Sequence, residues 1–184
     1  MRNPLLASAM VLSFALFASA VHAQGSGFFV RGSVGSSEPS NADGGFGNNS
    51  ETGFGIGLGW RVLPWLALAT GYNRFGEFAI DPNRCPSGRV CPAVVFPPFD
   101  LDLDSVELGL AARTALGDGG FFGQLRGGLH RGDAAALGTS TELYYGLGVG
   151  YAFTQRYSLS LNLDRYVFRG FDVDRIAVGF EIAF

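Results

Sequence analysis

The chain has 184 residues, a formal net charge of −3, 16% charged and 47% hydrophobic residues, and 28 glycines. Charged residues fall below the ~25% of an ordinary soluble domain, and no basic excess marks a nucleic-acid partner. All 13 basic residues are arginine, for which codon bias is a sufficient explanation.

The first stretch, "MRNPLLASAMVLSFALFASAVHAQ", joins Arg2 to an apolar run from Leu5 to Phe17 and a small-residue exit. That is the layout of a secretory signal peptide, with a cut expected after Ala23 and, as second choice, after Ala20. An uncleaved membrane helix is the competing reading, but the run is short for a span. No Cys follows the cut, which argues against a lipid anchor. The expected organisation is a signal peptide over 1–23 and one domain over 24–184.

After the leader a two-residue rhythm of apolar side chains recurs, as in strands with one apolar face. The runs fall at about 25–35, 53–62 ("GFGIGLGWRV"), 65–75, 100–114, 120–130, 141–153, 157–168 and 175–184. In "DLDLDSVELGL" the apolar parity changes near Asp104–Ser105, which predicts a bulge or an upper part standing clear of lipid. Short turns are expected at 63–64, 117–119 and 154–156, and longer connections at 36–52, 76–99, 131–140 and 169–172. Eight strands of about ten residues, with short turns on one side only, predict an all-β, eight-stranded antiparallel up-and-down transmembrane β-barrel. Closure follows because an open sheet edge in lipid would leave backbone groups unsatisfied.

Aromatic residues mark two levels. Trp60, Trp65, Phe121, Tyr151, Phe153, Tyr157 and Phe184 lie beside the short turns, where amphipathic rings favour a membrane–water boundary. Phe54, Tyr72, Tyr145 and Tyr166 form the expected second band near the longer connections.

The stretches "GLGVGYAFTQRYSLSLNLDRY" and "VDRIAVGFEIAF" resemble the C-terminal half of the OmpA-like family of eight-stranded outer-membrane barrels, often grouped as porin-like or surface-antigen proteins. The N-terminal half agrees in rhythm rather than motif. The resemblance implies an outer-membrane location, with both barrel ends of the chain on the periplasmic side, among outer-membrane lipid and lipopolysaccharide. It also implies that the terminal Phe184, with Ile176, Val178, Phe180 and Ile182 at alternate positions, is the signal read by the barrel-assembly machinery. A peptidoglycan-binding domain after the barrel is not expected, and the barrel is expected to be a monomer.

Inward parity assigns the lumen Arg31, Arg61, Arg113, Arg126, His130 and Arg175 with Glu107, Glu142, Asp164 and Glu181. A barrel of eight strands barely holds its own side chains, and buried charges must be paired. The expectation is a structural ion network plugging the lumen, with a small gated pore as the alternative. Counting back from the turns predicts Glu107 near Arg126, Asp164 near Arg175 and His130 near Glu142, with at least two of the three pairs, not all, expected within reach.

No catalytic residue, cofactor or metal is expected. His130 lies in "LHRGDAA", without the Ser that a lipid A-modifying enzyme would need nearby, and it points inward. Asp100, Asp102 and Asp104 share one strand face and cannot enclose a cation without partners; a solvated acidic strand end is the simpler reading. A soluble lipocalin-like binder would need a charged outside, which the Gly, Ala and Ser of the polar face do not supply. Cys85 and Cys91, in "CPSGRVC", are expected to form a disulfide in an oxidising compartment. Their loop, 76–99, is the candidate surface for a partner. The function expected is structural or surface display, in adhesion or envelope integrity.

Overall fold

Side chains on an extended chain alternate between two faces, so a strand with apolar residues at every second position can wall off lipid on one side only. The computed structural model of the protein describes residues 27–40, 50–80, 99–134 and 138–184, and it builds that wall from eight such strands. They are β1 (Phe28–Ser40), β2 (Glu51–Leu63), β3 (Leu66–Ile80), β4 (Phe99–Ala115), β5 (Phe121–Ala134), β6 (Gly138–Ala152), β7 (Tyr157–Phe168) and β8 (Phe171–Ala183). Each pairs antiparallel with its chain neighbours, and β8 pairs with β1 to close the barrel. Residues 81–98, with Cys85 and Cys91, lie outside the described residues.

The C-terminus is held by this closure. Phe184 N–H donates to the Phe28 carbonyl at 2.8 Å, and Ala183 N–H to the Arg156 carbonyl at 2.8 Å. Phe184 therefore ends a seam strand at the short-turn end, with Ile176, Val178, Phe180 and Ile182 on the same outer face.

The outer face carries large apolar side chains that no soluble protein would display, among them Leu108 at 58%, Leu125 at 64% and Leu143 at 59% exposure. Aromatic residues edge this belt at the short turns, where Phe28 stacks on Trp60 at 6.1 Å and Tyr151 meets Phe121 at 4.9 Å. On the other side of the belt Phe54, Tyr72 and Tyr145 face outward, but Tyr166 does not. It is fully buried in the lumen, because it shares the inward parity of Asp164 rather than that of Leu163.

Toward the longer connections the polarity inverts. Asp100, Asp102 and Asp104 point outward, while Leu101 and Leu103 are fully buried inside with Phe75, Phe78, Tyr166 and Val173. Of the two readings of the parity change at Asp104–Ser105, a bulge in β4 is absent, and the inverted polarity fits the other, an upper part standing clear of lipid. β4 keeps one parity from Leu101 to Arg113, and the register shift lies across from it on β3, between Arg74 and Gly76. Gly76 takes φ 111°, a left-handed conformation that glycine alone adopts without strain. What changes along β4 is the solvent outside the wall, so the apolar residues move indoors.

That same inversion lengthens the strands beyond the expected limits. β1 runs to Ser40, β3 to Ile80 and β5 to Ala134, through residues read from the sequence as connections. Between β7 and β8 only Arg169 and Gly170 remain as a tight turn, with Gly170 at φ 95°. Two-sided alternation still holds in the β3 and β5 extensions, with Glu77, Arg131 and Asp133 outside and Phe78, Gly132 and Ala134 inside.

Candidate functional site

The lumen is built by the rows of residues that pair from strand to strand. Along one row Arg126 of β5, Gly146 of β6 and Asp164 of β7 stand side by side. Gly146 leaves the gap: a Cβ there would run into Asp164, so Arg126 reaches over it to form a two-point ion pair, with Nε–H donating to Oδ1 at 2.6 Å. One row further toward the short turns, Gln124 donates to Asn162 across Gly148 in the same way. Arg31 reaches Glu107 across two glycines, Gly57 and Gly71, at 3.2 Å. The glycine runs "GFGIGLGW" and "GLGVGY" thus have a packing reason: each removes a side chain so that long polar groups on flanking strands can meet.

Glu107, 2% exposed, is the hub of the central tier. Its Oε1 accepts from Arg31 and lies 3.9 Å from Arg126 Nη1. Its Oε2 accepts from Asn73 Nδ2 at 2.9 Å and from the Tyr166 hydroxyl at 2.8 Å. A carboxylate with four donors around it meets the requirement that a buried charge be paired and hydrogen-bonded. At the short-turn mouth Glu181 holds both Arg61 and Arg113, with Arg113 Nη2 at 3.0 Å from Oε2. The two guanidiniums lie over aromatic rings, Arg61 on Phe29 at 5.2 Å and Arg113 on Phe122 at 3.9 Å. A cavity of about 20 Å³ remains beside them, room for about one water.

At the other end the tier is apolar. Phe75 meets Tyr166 edge-on at 4.8 Å and Phe168 at 5.9 Å, and Phe171 stacks on Phe168 at 5.1 Å. A Cβ on Gly132 would overlap the Phe168 ring, the same gap-and-filler rule with an aromatic in place of an arginine.

The expected pairs meet this geometry unevenly. Glu107 and Arg126 approach to 3.9 Å, but the residue opposite Glu107 is His130, four positions beyond Arg126. Asp164 does stand opposite Arg175, yet its carboxylate goes to Arg126 while Arg175 donates to Asn73 and Ser33. His130 stands opposite Glu142 but its Nε2 contacts the Val167 carbonyl oxygen at 2.7 Å, and its ring packs on Tyr166 and Phe168. Sequence reasoning missed Asn73, Ser33 and Tyr166 as members of the network. Tyr166 was findable, since it continues the parity of Asn162 and Asp164.

Asp102 pairs with Arg74 and Asp104 accepts from Tyr72 on the outer face. Among the described residues no group of three or more His, Cys, Asp or Glu converges as a metal site would require. A concavity of about 670 Å³ is a furrow in the outer wall between the row Leu110, Gly127, Tyr145, Arg165, Asp174 and the row Ala112, Leu125, Leu147, Leu163, Ile176.

Comparison with known proteins agrees with this architecture. Neisserial surface protein A (NspA) superposes with a TM-score of 0.57 at 19% identity, over 85% of this chain and 97% of that one. Ail, the attachment invasion locus protein of Yersinia pestis, superposes with a TM-score of 0.54 at 13% identity, over 88% of this chain and 100% of that one. These are likenesses of fold. No curated protein matches by sequence. The family described as "Outer membrane protein beta-barrel domain" matches residues 6–184, nearly the whole chain. An apolar outside, a polar packed inside and that match together identify the chain as a member of the outer membrane protein β-barrel family.

Proposed function

We propose that the protein is a plugged, non-conducting barrel of the outer membrane that serves a structural or surface-display role. The observation that carries this reading is the filling of the lumen on two levels: the central ion network around Glu107, and beyond it an apolar tier in which Phe75, Leu101, Leu103, Tyr166 and Val173 are all fully buried. An ion or solute crossing the barrel would have to break buried ion pairs and then desolvate against aromatic rings. Neither level uses a nucleophile–base pair, and the reading is non-catalytic. The decisive experiment is conductance in planar bilayers. Silent bilayers with the purified, folded protein are the expected result; stepwise currents that persist in its purest fractions would favour a gated pore.

In this reading the short turns, Phe28 and Phe184 face the periplasm. The C-terminal strand is the segment handled by the barrel-assembly machinery, and the belt meets outer-membrane lipid and lipopolysaccharide around a monomer. The longer connections face the cell surface, with the connection 81–98, between the ends of β3 and β4, as the display element, its tip shaped by a Cys85–Cys91 disulfide. One solved structure of Ail holds a heparin analogue, sucrose octasulfate. The collar here favours a different partner. Among the described residues, the outer face and turns of that end carry Glu38, Glu77, Asp100, Asp102, Asp104, Asp133, Asp172 and Asp174 against Arg74, Arg131, Arg165 and Arg169. Such an acidic excess repels polyanions and selects a neutral or basic partner. Replacing residues 81–98 by a short Gly-Ser linker should abolish cell or matrix attachment while leaving the barrel folded; unchanged attachment would remove this loop as the display element.

A further inference from the structure

The apolar belt is notched at Gly127. This residue stands on the outer face of β5, between Leu125 and Leu129 along the strand and between Leu110 and Tyr145 on the neighbouring strands. Each of those four side chains is more than half exposed. A Cβ on Gly127 would meet only β6, nearest the Tyr144 carbonyl oxygen at 3.2 Å, so the notch has walls of side chain and a floor of backbone. Ala112, another small outward residue, stands opposite Leu125 on β4. Both line the furrow of about 670 Å³ in the outer wall.

The row between the two banks of this furrow runs through Arg126, Gly146, Asp164 and Arg175. Its charged side chains are buried in the lumen, so the furrow is floored by main chain and banked by leucines. One end reaches Leu66, the first residue of β3, beside a short turn. The other opens at the rim of the belt, where Tyr145, Arg165 and Asp174 line the same concavity. There Arg165 Nε–H and Nη2–H donate to the two carboxylate oxygens of Asp174 at 2.6 and 2.7 Å, and both side chains are partly exposed.

A furrow in a lipid-facing wall forfeits dispersion contacts unless something narrow and apolar lies in it. From Arg165 to Leu110 it crosses three inter-strand spacings, about 14 Å, close to half of a hydrocarbon core of about 30 Å. An unbranched acyl chain has that width and reach. The rim selects the headgroup, because it presents both signs of charge side by side. A purely anionic head would meet Asp174 and the acidic excess of the collar. A net-neutral head carrying a phosphate and a primary ammonium satisfies both members of the pair.

We propose that this furrow binds one zwitterionic, phosphoethanolamine-headed phospholipid, with an acyl chain in the Gly127 notch, the phosphate at Arg165 and the ammonium at Asp174. The site stands on the wall and its rim, and is independent of whether the barrel conducts, what its loops bind and which end faces the cell exterior.

The test is native mass spectrometry of the folded barrel released from bilayers holding equal amounts of phosphatidylethanolamine, phosphatidylglycerol and lipid A. One phosphatidylethanolamine should stay on each barrel, at least about tenfold in excess of either competitor. Gly127→Leu, which fills the notch, should reduce that retention to the level of the competitors. Arg165→Gln/Asp174→Asn changes only the exposed rim; it should retain a lipid but lose the preference for the ethanolamine head, and it carries the comparison should Gly127→Leu fail to fold. Equal retention of the two phospholipids would mark an ordinary lipid annulus and overturn the proposal. So would a preference for lipid A, lipid-free pairs of barrels with a second copy over the furrow, or an unchanged preference in either folded variant.

Discussion

Removing the Glu107 carboxylate tests the central tier most directly. Glu107→Ala leaves Arg31 with no carboxylate in contact, leaves Arg126 with Asp164 only, and takes the acceptor from Asn73 and from the Tyr166 hydroxyl. Breaking a buried ion pair by deleting one partner costs about 3–5 kcal/mol, and each stranded neutral donor adds about 1 kcal/mol. The contributions share one carboxylate and are not additive, so a total of about 4–6 kcal/mol is expected. Glu107→Gln keeps the shape and one acceptor and should cost about half as much. Deleting Arg31 as well removes the stranded cation, so the double variant Arg31→Ala/Glu107→Ala should be more stable than the sum of the singles by about 2–3 kcal/mol. The assay is equilibrium urea unfolding in lipid vesicles, followed by the fluorescence of Trp60 and Trp65 and checked by heat-modifiable gel migration. A Glu107→Ala protein within about 0.5 kcal/mol of wild type, or strict additivity in the cycle, would refute the account of Glu107 as a hub.

The glycine gaps predict that Gly146→Ala loses about 1–3 kcal/mol, because its methyl would overlap Asp164, whereas Gly32→Ala, with open space around its Cβ, should leave the same urea midpoint unchanged. Leu108→Arg in the belt should destabilise the inserted barrel by about 2–4 kcal/mol, and Asp104→Arg nearer the rim by less than half of that; equal effects would mean the belt is misplaced. Deleting Phe184 should leave protein in the periplasm, as read by cell fractionation, and normal outer-membrane levels would sink its role in assembly. Non-reducing peptide mapping of protein from its native envelope should find Cys85 and Cys91 in one linked fragment, and two free thiols there would rule the bond out.

Much of the barrel was legible because period-two alternation is a local property: Ile176 to Phe184 announce an outer face without reference to any other strand. The inward list was legible for the same reason. What parity does not contain is who touches whom. Arg126 faces Ala111 and Gly146 in the ladders, yet its ion partners are Asp164, beyond the glycine, and Glu107, in another row. A rule that skips glycines along a row would have found Arg126–Asp164 and Arg31–Glu107. The hairpin estimate missed the ladder partner of Glu107 through the count and not the turn: the β4–β5 ladder ends at Ala115 and Phe122, centred within a residue of the expected turn, and that places His130 opposite Glu107. In the inverted upper tier the parity change was legible in "DLDLDSVELGL", but Tyr166 was placed with the outer aromatics because an aromatic near a strand end looks like part of a membrane-boundary band until its parity with Asp164 is followed.

The switch from Asp104 to Val106 on β4, from Arg165 to Leu163 on β7 and from Asp174 to Ile176 on β8 acts as a waterline painted on the hull. β4 has 17 residues; at about 3.4 Å per residue and a tilt near 40° it climbs about 44 Å, against an apolar belt of about 25 Å. The molecule therefore rides high, with its charged collar in water and its draught set by those few outward positions. Sinking the collar would carry Arg165 and its neighbours toward hydrocarbon, at a few kcal/mol for each charge that goes deep. Stretching or thinning lipid takes only fractions of a kcal/mol per ångström of mismatch. In a bilayer too thick for its belt, the lipid yields and the protein does not. Each barrel then wears a ring of thinned membrane, and two barrels that share one ring are drawn together without their walls ever touching.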